Sequence, residues 1–254
     1  MPLKRKIFYN DPSFDYQKYW QNRVYENQSE KIALKKLLEF IPNKKKKNLI
    51  DIGGGFGRLA TEYTPLFKKC LLIEPSIKLI KQAEEFGKDL PNLEVKKSFV
   101  EKINVDDKSF DVALLIRVAH HLKDLGAVFK EVDRILKPQG FLILEFANKS
   151  HLKNIIKATL KGNLDFLTNH TPKKVAQRSL TPFFNYHPNQ IKSLLFNHQF
   201  KIIECFSVSN FRHPCLKKII PSKALLWMES KQQELTAKNQ SCLGPSVFIL
   251  AQKK

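Results

Sequence analysis

Four glycines fall at positions 53, 54, 55 and 57, directly after the apolar run "NLIDI" of residues 48–52. The run is typical of a short buried strand, and the segment "FGRLATEYTPLF" that overlaps the last glycine predicts a helix. Glycine permits positive φ and has no Cβ, so the main chain of such a loop can come very close to a ligand. A plain strand-to-helix turn needs fewer glycines. The loop therefore predicts a ligand site at the carboxyl edge of a sheet, where doubly wound proteins bind their ligands.

Strand and helix patterns alternate along most of the chain. Apolar runs at "NLIDI", "CLLIE", "LEVKKSF", "FDVALLI" and "FLILEFA" predict five strands, and "KIIECFSVS" and "SVFILAQ" predict a sixth and a seventh. This alternation with helices is typical of an α/β fold, a doubly wound sheet with helices on both faces. The helix "LGAVFKEVDRILKPQG" is expected to stop at Pro138 and Gly140, and one helical crossover is expected before the last strand.

We interpret residues 1–254 as a single domain with four parts. The parts are N-terminal helices that form a lid (1–46), a cofactor-binding core (47–147), a helical insertion after the fifth strand (148–187) and the second half of the sheet (188–254).

Three features around the glycines narrow the choice of ligand. The second predicted strand ends in Glu74, about twenty residues on, where an acidic side chain can accept both hydroxyls of a ribose. The loop lacks the Lys-Ser/Thr pair of a P-loop, which argues against a nucleoside triphosphate. Its Gly-x-Gly-x-Gly spacing differs from the Gly-x-Gly-x-x-Gly of NAD enzymes, and Asp51 before it would repel a pyrophosphate but attract the ammonium of an amino acid.

Four motifs follow one another between residues 47 and 147: "LIDIGGGFGRLA", "LLIEPSIKLIKQA", "DDKSFDVALLIRVAHHLKD" and "EVDRILKPQGFLILEF". In this order and spacing they resemble the class I S-adenosylmethionine-dependent methyltransferases, in particular the group with a type-11 methyltransferase domain, related to quinone-biosynthesis methyltransferases. The resemblance implies a Rossmann-like, seven-stranded mixed sheet in the order 3-2-1-4-5-7-6 with the last strand antiparallel. It also implies S-adenosyl-L-methionine as cofactor and methyl transfer by in-line displacement.

The resemblance further implies a set of cofactor-binding residues. They are Asp51, Gly53, Gly54, Gly55 and Gly57 for the methionine part, Glu74 for the ribose hydroxyls, Pro75 and Leu79 beside the adenine, Val100 and Glu101 in the loop after the third strand, and Ile116 at the border with the acceptor. Family members often have an Asp just before that loop, which accepts from the adenine amino group. Here Phe99 stands in its place, so either Phe99 packs on the base or another polar group replaces the carboxylate.

Two histidines are candidates for a general base, should the acceptor have to lose a proton. His120 and His121 follow the fourth predicted strand, and an imidazole with a pKa near neutrality suits this task. The alternative is a structural role in a helix cap or in packing. Arg117 either pairs with an acidic substrate or forms a surface salt bridge.

Aromatic and basic side chains outside the core predict the acceptor pocket. The stretch "DYQKYWQNRVYENQ" is either a lid over the site or a helix packed by its aromatic residues, and "TPFFNYHPNQ" and "SVSNFRHPC" add candidates near the same edge. We expect substrate contacts from Tyr19, Trp20, Arg23, Arg117, Tyr186 and Arg212, with Tyr16, Tyr25, His187, Asn210 and Phe211 near them.

The charge balance leaves the partner open. Lys and Arg number 44 against 24 Asp and Glu, a net charge of +20, which indicates either an anionic partner or a Lys-rich protein kept soluble. We expect a small-molecule or lipid-like acceptor, and the alternatives are RNA or another nucleic acid, or a non-catalytic cofactor-binding protein. The Asn/Asp-Pro-Pro-Tyr/Phe signature of enzymes that methylate base amino groups is absent after the fourth strand, where "IRVAHH" stands.

Cysteine spacing and hydropathy bear on metal binding, on membrane insertion and on the cellular compartment of the protein. The four cysteines are scattered without metal-ligand spacing, so we expect no metal site and reduced thiols in a cytoplasmic protein. No apolar run approaches the ~20 residues of a membrane span. The basic N-terminus lacks the apolar core of a secretory signal. The sequence predicts no particular oligomeric state.

Overall fold

The computed structural model describes residues 8–122, 124–163, 165–175, 182–238 and 243–254. Its strands are β1 Asn48–Ile52, β2 Lys69–Glu74, β3 Leu93–Lys97, β4 Phe110–Leu115, β5 Leu136–Ala147, β6 Lys173–Val175, β7 Phe183–Asn185, β8 Phe200–Val208 and β9 Ser246–Lys253. The main sheet has the order β3-β2-β1-β4-β5-β9-β8, with β9 antiparallel to both of its neighbours. Counted within this sheet, the order is 3-2-1-4-5-7-6, so the predicted fold is confirmed.

Helices cover both faces of the main sheet. They are α1 Tyr16–Gln21, α2 Val24–Glu39, α3 Ala60–Tyr63, α4 Ile77–Phe86, α5 Leu125–Ile135, α6 Leu152–Leu160, α7 Asp165–Thr168, α8 Pro188–Asn197, α9 Pro214–Ile219 and α10 Ser222–Lys238. Helices α5 and α8 pack on one face, and α2, α3 and α10 pack on the other. Successive residues of β1 point to opposite faces of the sheet. Leu49 packs in the layer that contains α2, and Ile50 packs in the layer that contains α5.

The helix predicted directly behind the glycines is much shorter than expected. The sequence predicts a helix over residues 56–67, whereas α3 spans only Ala60–Tyr63 and a 3-10 turn follows it. Gly53, Gly55 and Gly57 have φ values of 70, 62 and 83°. An α-helix contains no such conformation, so the chain continues in turns until Ala60.

Pro138 does not end α5 as predicted, because β5 has already begun at Leu136. The pairing of β4 with β5 shifts register between Phe110 and Val112, opposite residues 137–140, and Gln139 has a φ of 61°. An irregular strand of this kind tolerates a proline, which has no amide to donate. The crossover before β9 is likewise divided into α9 and α10, with Pro221 between them.

The insertion after β5 is not purely helical. It contains α6 and α7, but also the antiparallel pair of β6 and β7. Its end returns to the sheet, because the Tyr186 amide donates to the Ala147 carbonyl at 2.8 Å. The insertion therefore lies beside the carboxyl end of β5. Residues 164 and 176–181 of the predicted insertion lie outside the described residues.

Within the described ranges, no helix combines the length and the apolar character that a membrane span requires. In the same part of the chain, no group of three or more His, Cys, Asp or Glu is placed to hold a metal ion. Burial raises the pKa of the Cys70 thiol to about 12, which keeps it protonated. Cys242, on which the prediction of reduced thiols partly rests, lies outside the described residues. Residues 1–7, which belong to the basic N-terminus, lie outside them as well.

Candidate active site

The glycine loop is held against the end of β2 by its main chain. The Gly53 amide donates to the Ile73 carbonyl at 2.7 Å. A Cβ on Gly53 would lie 2.5 Å from Cγ2 of Val118, and a Cβ on Gly54 would lie 2.6 Å from Cγ of Leu72. Both distances are far below van der Waals contact, so neither position admits a side chain. The loop is therefore a surface of bare backbone.

Glu74 ends β2 beside this loop and is only 5% exposed. Its Oε2 accepts a hydrogen bond from the Gly55 amide at 3.1 Å, and its Oε1 accepts one from the Ser76 amide at 3.0 Å. Burial raises the pKa of this carboxyl to about 7, although both amide hydrogen bonds favour the ionised form. Each oxygen retains a lone pair that can accept from a hydroxyl group.

The glycine loop and Glu74 form part of the wall of a cavity of about 290 Å³, which we call the glycine-loop cavity. This volume is near the lower end of the range of ~300–1,000 Å³ that is usual for small-molecule sites. Ser98 and Phe99 line it as well. The cofactor residues predicted from the sequence that lie on this wall are Gly53, Gly55, Glu74, Pro75, Leu79, Val100 and Glu101.

The other predicted cofactor residues lie behind this wall. Asp51 is 2% exposed, and its Oδ2 accepts a hydrogen bond from the Tyr63 hydroxyl at 3.1 Å. A Cβ on Gly54 would lie 2.7 Å from the same oxygen, so the carboxylate lies directly under the loop. Burial raises the pKa of Asp51 to about 6. Ile116 is buried in the hydrophobic layer that contains α2, and Gly57 faces Phe86 and Leu72.

A second cavity of about 450 Å³ adjoins the first, and we call it the aromatic chamber. The two cavities have five lining residues in common, namely Phe8, Tyr9, Tyr16, Arg117 and His121. Predicted acceptor and catalytic residues on the wall of the chamber are Tyr19, Trp20, Arg23, Arg117, His120, His121 and Arg212. The chamber adjoins an outer groove of about 1110 Å³, since Tyr19, Arg23 and Arg212 line both.

Tyr186 lies away from all three walls, unlike the other predicted acceptor residues. Its side chain is 1% exposed, and its hydroxyl donates to the Leu122 carbonyl. Burial raises the pKa of this hydroxyl to about 12. His187 caps α8, because its Nδ1 accepts from the Asn189 amide at 3.1 Å. Phe211 lies on the wall of the outer groove.

His120 and His121 lie side by side, with ring centroids 4.1 Å apart. His120 is buried and stacks on Phe183 with 4.4 Å between the centroids. Burial, together with the neighbouring His121, lowers the pKa of His120 well below its ordinary value. His121 has Nε2 2.9 Å from the Tyr9 hydroxyl, and burial lowers its pKa as well. Both imidazoles are therefore neutral at pH 7, and the lowered pKa makes each a weaker base than a free imidazole, His120 more so than His121.

Arg117 belongs to a buried ion pair that sequence reasoning missed. Glu30 is completely buried and accepts from Nε of Arg117 at 2.7 Å and from Nη2 of Arg58 at 2.6 Å. The guanidinium of Arg58 also lies 3.7 Å from the centre of the Trp20 ring. Glu30 therefore connects α2 to the glycine loop and to the end of β4.

One signal in the sequence could have revealed Glu30. Residues 33, 34, 37, 38 and 41 form the buried apolar stripe of α2 and the residues after it. Glu26 and Glu30 continue this stripe at helical spacing, and both are buried. An acidic residue on the buried side of a helix needs a cationic partner. The sequence did not reveal which cations these are.

Comparisons with known proteins agree with this geometry. Residues 50–144 match the model of a family described as a methyltransferase domain. The uncharacterized methyltransferase YcgJ of Bacillus subtilis is 29% identical over 98 residues, which is 38% of this chain and 39% of YcgJ. Demethylmenaquinone methyltransferase of Chlorobaculum tepidum is 25% identical over 185 residues, which is 71% of this chain and 73% of that relative.

A solved structure shares the whole architecture. It is a S-adenosylmethionine-dependent methyltransferase of Thermotoga maritima, described as a possible histamine N-methyltransferase, with a TM-score of 0.63 at 20% identity. The likeness covers 94% of this chain and 95% of that one. The sheet order, the glycine loop and the domain match agree with one another. Residues 50–144 therefore match a methyltransferase domain, and the fold is the one that this chain shares with a solved S-adenosylmethionine-dependent methyltransferase.

Proposed function

We propose that this protein transfers the methyl group of S-adenosylmethionine to a small-molecule acceptor. The observation that carries the proposal is the adjacency of the two cavities. The glycine-loop cavity contains the features expected of a nucleoside site, and the aromatic chamber shares Tyr9, Arg117 and His121 with it. A molecule in the chamber would therefore lie beside the group held in the glycine-loop cavity.

The residues of the glycine-loop cavity fit the cofactor. At Gly53 and Gly55 bare backbone lines the cavity, and the Glu74 carboxylate lies beside it. In this proposal Glu74 accepts from the ribose hydroxyls, and Pro75 and Leu79 contact the adenine. When bound, the cofactor supplies a methyl group activated by its sulfonium charge.

The position of Asp51 limits its part in binding. Its carboxylate lies under the loop and is bonded to Tyr63, so its charge would act on an ammonium through the backbone of the loop rather than by contact. The backbone carbonyls of the loop remain as the direct partners of the ammonium, since the four glycine amides already donate hydrogen bonds within the protein.

On the acceptor side, the task of the protein is mainly to orient the acceptor. Good orientation alone can supply ~7–11 kcal/mol of the barrier reduction. Where the acceptor has to lose a proton, His121 is the better placed base of the two histidines, because it lines both cavities and is neutral. The Tyr9 hydroxyl at 2.9 Å orients its ring. His120, stacked on Phe183, supports the wall beside it.

Binding of S-adenosylhomocysteine, measured by calorimetry, tests the cofactor site. We expect Glu74→Ala to weaken binding roughly 10- to 100-fold, because hydrogen bonds to a carboxylate are lost. Glu94→Ala is the matched control, since Glu94 lies on β3 and pairs with Lys96 at the surface. Equal affinity of the two variants would contradict the assignment of Glu74. Transfer of a labelled methyl group to the small-molecule fraction of a cell extract tests the activity, and binding without any transfer would contradict it.

A further inference from the structure

We propose that the acceptor is a small organic anion, and that Arg23 and Arg212 bind its carboxylate or phosphate group where the aromatic chamber meets the outer groove. The proposal rests on the proposed function, and it names the class of acceptor. Both arginines line the chamber and the groove, so their side chains lie at the junction of the two.

Among the described residues, neither arginine forms an ion pair with a carboxylate, whereas Arg58 and Arg117 share Glu30. Arg23 lies with its guanidinium 4.5 Å from the centre of the Tyr19 ring. The carboxylate near Arg212 is Glu26, whose Oε1 already accepts from Lys217 at 3.0 Å. The junction thus holds more positive than negative charge.

The pKa of Arg212 is consistent with an excess of positive charge at the junction. Partial burial lowers the pKa of Arg212, the charges of Arg117 and Arg23 lower it further, and Glu26 and Tyr19 oppose them. Like charges held close together repel one another, so an anion placed among them would be stabilised. A guanidinium also presents its donors in a planar fork, which matches a carboxylate or a phosphate.

The loop that carries Arg212 is anchored by buried hydrogen bonds. The amides of residues 209 and 210 donate to the two oxygens of Glu229 at 2.8 and 3.0 Å. The amide of residue 211 donates to the Tyr25 hydroxyl at 2.9 Å, and this hydroxyl donates to Glu229 at 2.6 Å. Three successive amides are therefore tied to α2 and α10. This scaffold holds Arg212, which has no carboxylate partner within the described part of the chain, in a fixed position.

The wall of the aromatic chamber is polar as well as aromatic. Several of its side chains have a buried polar atom without a hydrogen-bond partner among the described residues: Glu26 Oε2, His120 Nδ1 and Ser209 Oγ. Unpaired buried polar atoms cost free energy, and a wall built for an alkyl chain would not contain them. Small rotations of these side chains would offer a polar molecule both donors and acceptors. The wall thus favours a polar acceptor over a lipid.

The test measures the affinity of three probes for the complex of the protein with S-adenosylhomocysteine, by calorimetry. Benzoate presents a carboxylate, phenyl phosphate presents a phosphate, and benzamide is the neutral match of benzoate. The variants are Arg212→Met and Arg23→Met, which keep most of the apolar stem. Lys201→Met is the control, because it removes the same charge from an exposed position on β8 that lines neither the chamber nor the outer groove.

We expect at least one anion to bind, and benzamide to bind roughly tenfold more weakly or not at all. Each arginine variant should weaken anion binding roughly tenfold, and Lys201→Met should leave it within twofold. The stronger of the two anions identifies the group that the acceptor carries. If Arg212→Met does not fold, as judged by thermal unfolding, Arg23→Met decides the outcome.

The proposal is overturned if benzamide binds as tightly as benzoate, if no anion binds, or if both arginine variants match Lys201→Met. It is also overturned if transfer RNA binds in a salt-sensitive manner that depends on Arg212 while the small anions do not bind. Failure of the proposed function is a separate result. It would appear as absent binding of S-adenosylhomocysteine or absent methyl transfer, both of which are measured without these probes.

Discussion

The glycine-loop cavity and the aromatic chamber share a boundary, but they are built in different ways. The glycine-loop cavity is formed largely by short segments that each follow a strand, at residues 53–55, 74–79 and 98–101. The aromatic chamber takes its wall from α1, the ends of β4 and β5, the insertion and the loop after β8. The first therefore depends on local backbone shape, and the second on side chains that meet only in the folded chain.

The two regions also differ in charge. Buried acids lie at the glycine-loop cavity, where burial raises the pKa of Glu74 to about 7 and that of Asp51, under the loop, to about 6. At the junction of the chamber with the outer groove, Arg23 and Arg212 lack carboxylate partners within the described part of the chain. The first region suits a ligand with hydroxyl or ammonium groups. The second suits an anion.

Glu30 joins the two regions, and its removal should have the largest effect. Glu30→Ala leaves Arg58 and Arg117 without their buried carboxylate, so we expect a loss of roughly 3–5 kcal/mol in the free energy of unfolding. Both cofactor and anion binding should weaken, because Arg58 lies behind the glycine loop and Arg117 lines both cavities. Urea unfolding and calorimetry measure the two effects.

Glu62→Ala is the matched control for Glu30→Ala. Glu62 also pairs with two cations, Lys31 at 2.7 Å and Lys35 at 2.9 Å, but these pairs lie near the surface. Surface pairs typically contribute ~0–1 kcal/mol. If Glu30→Ala costs no more than Glu62→Ala, Glu30 does not hold the two regions together.

Gly53→Ala should weaken cofactor binding and leave anion binding unchanged. Its new Cβ would lie 2.5 Å from Cγ2 of Val118 in a backbone with a φ of 70°. We expect a loss of about 2–3 kcal/mol from backbone strain and overpacking, and at least tenfold weaker binding of S-adenosylhomocysteine. Gly162→Ala is the control, since its φ is 65° and nothing lies within 4 Å of the added Cβ. A similar loss of cofactor affinity in both variants would mean that the close approach at Gly53 is unimportant.

The same contrast explains what could be predicted from the sequence. The strands, the glycine loop and the position of Glu74 follow from local patterns, because each depends on a few neighbouring residues, whereas the strand order is what the resemblance to a known family implies. Glu30 and its partners Arg58 and Arg117 come from three distant segments, and no local pattern specifies their meeting. The burial of Tyr186 has the same origin, because its partner is the carbonyl of Leu122. At Pro138 the local pattern was misleading. The proline predicts the end of α5, but it lies inside β5, where the pairing with β4 is irregular.

Glu74 should make cofactor binding depend on pH. Its pKa is about 7 in the folded protein and near 4.5 ordinarily, so the ionised carboxylate that accepts hydroxyls forms as the pH rises through 7. We expect the affinity for S-adenosylhomocysteine to rise roughly tenfold between pH 6 and pH 8. Because the folded-state pKa is raised, this group stabilises the free protein most below about pH 4.5 and less as the pH rises to 7.

Glu74→Gln isolates this pH effect from the rest of the protein. The amide keeps the size of the side chain but does not titrate, so the affinity of the variant should be lower and should change less over the same range, where only the Asp51 carboxyl under the loop, with a pKa of about 6, still loses its proton. Calorimetry at pH 6, 7 and 8 compares the two proteins. A wild-type affinity that does not change with pH would show that Glu74 is not the ionising partner of the cofactor.

The smallest expected effect separates the two regions most sharply. Tyr25→Phe removes a hydroxyl that bonds Glu229 and the amide of Phe211, and Tyr63→Phe removes one that bonds Asp51. Each loss should cost about 1 kcal/mol of stability. Tyr25→Phe should loosen the loop of Arg212 and weaken benzoate binding a few-fold with cofactor affinity unchanged. Tyr63→Phe should weaken cofactor binding a few-fold with benzoate affinity unchanged, because the carboxylate of Asp51 lies under the glycine loop. If each variant weakens the binding of both ligands equally, the two regions are energetically one site. The difference between a wall built from backbone and a wall built from side chains would then have no functional meaning.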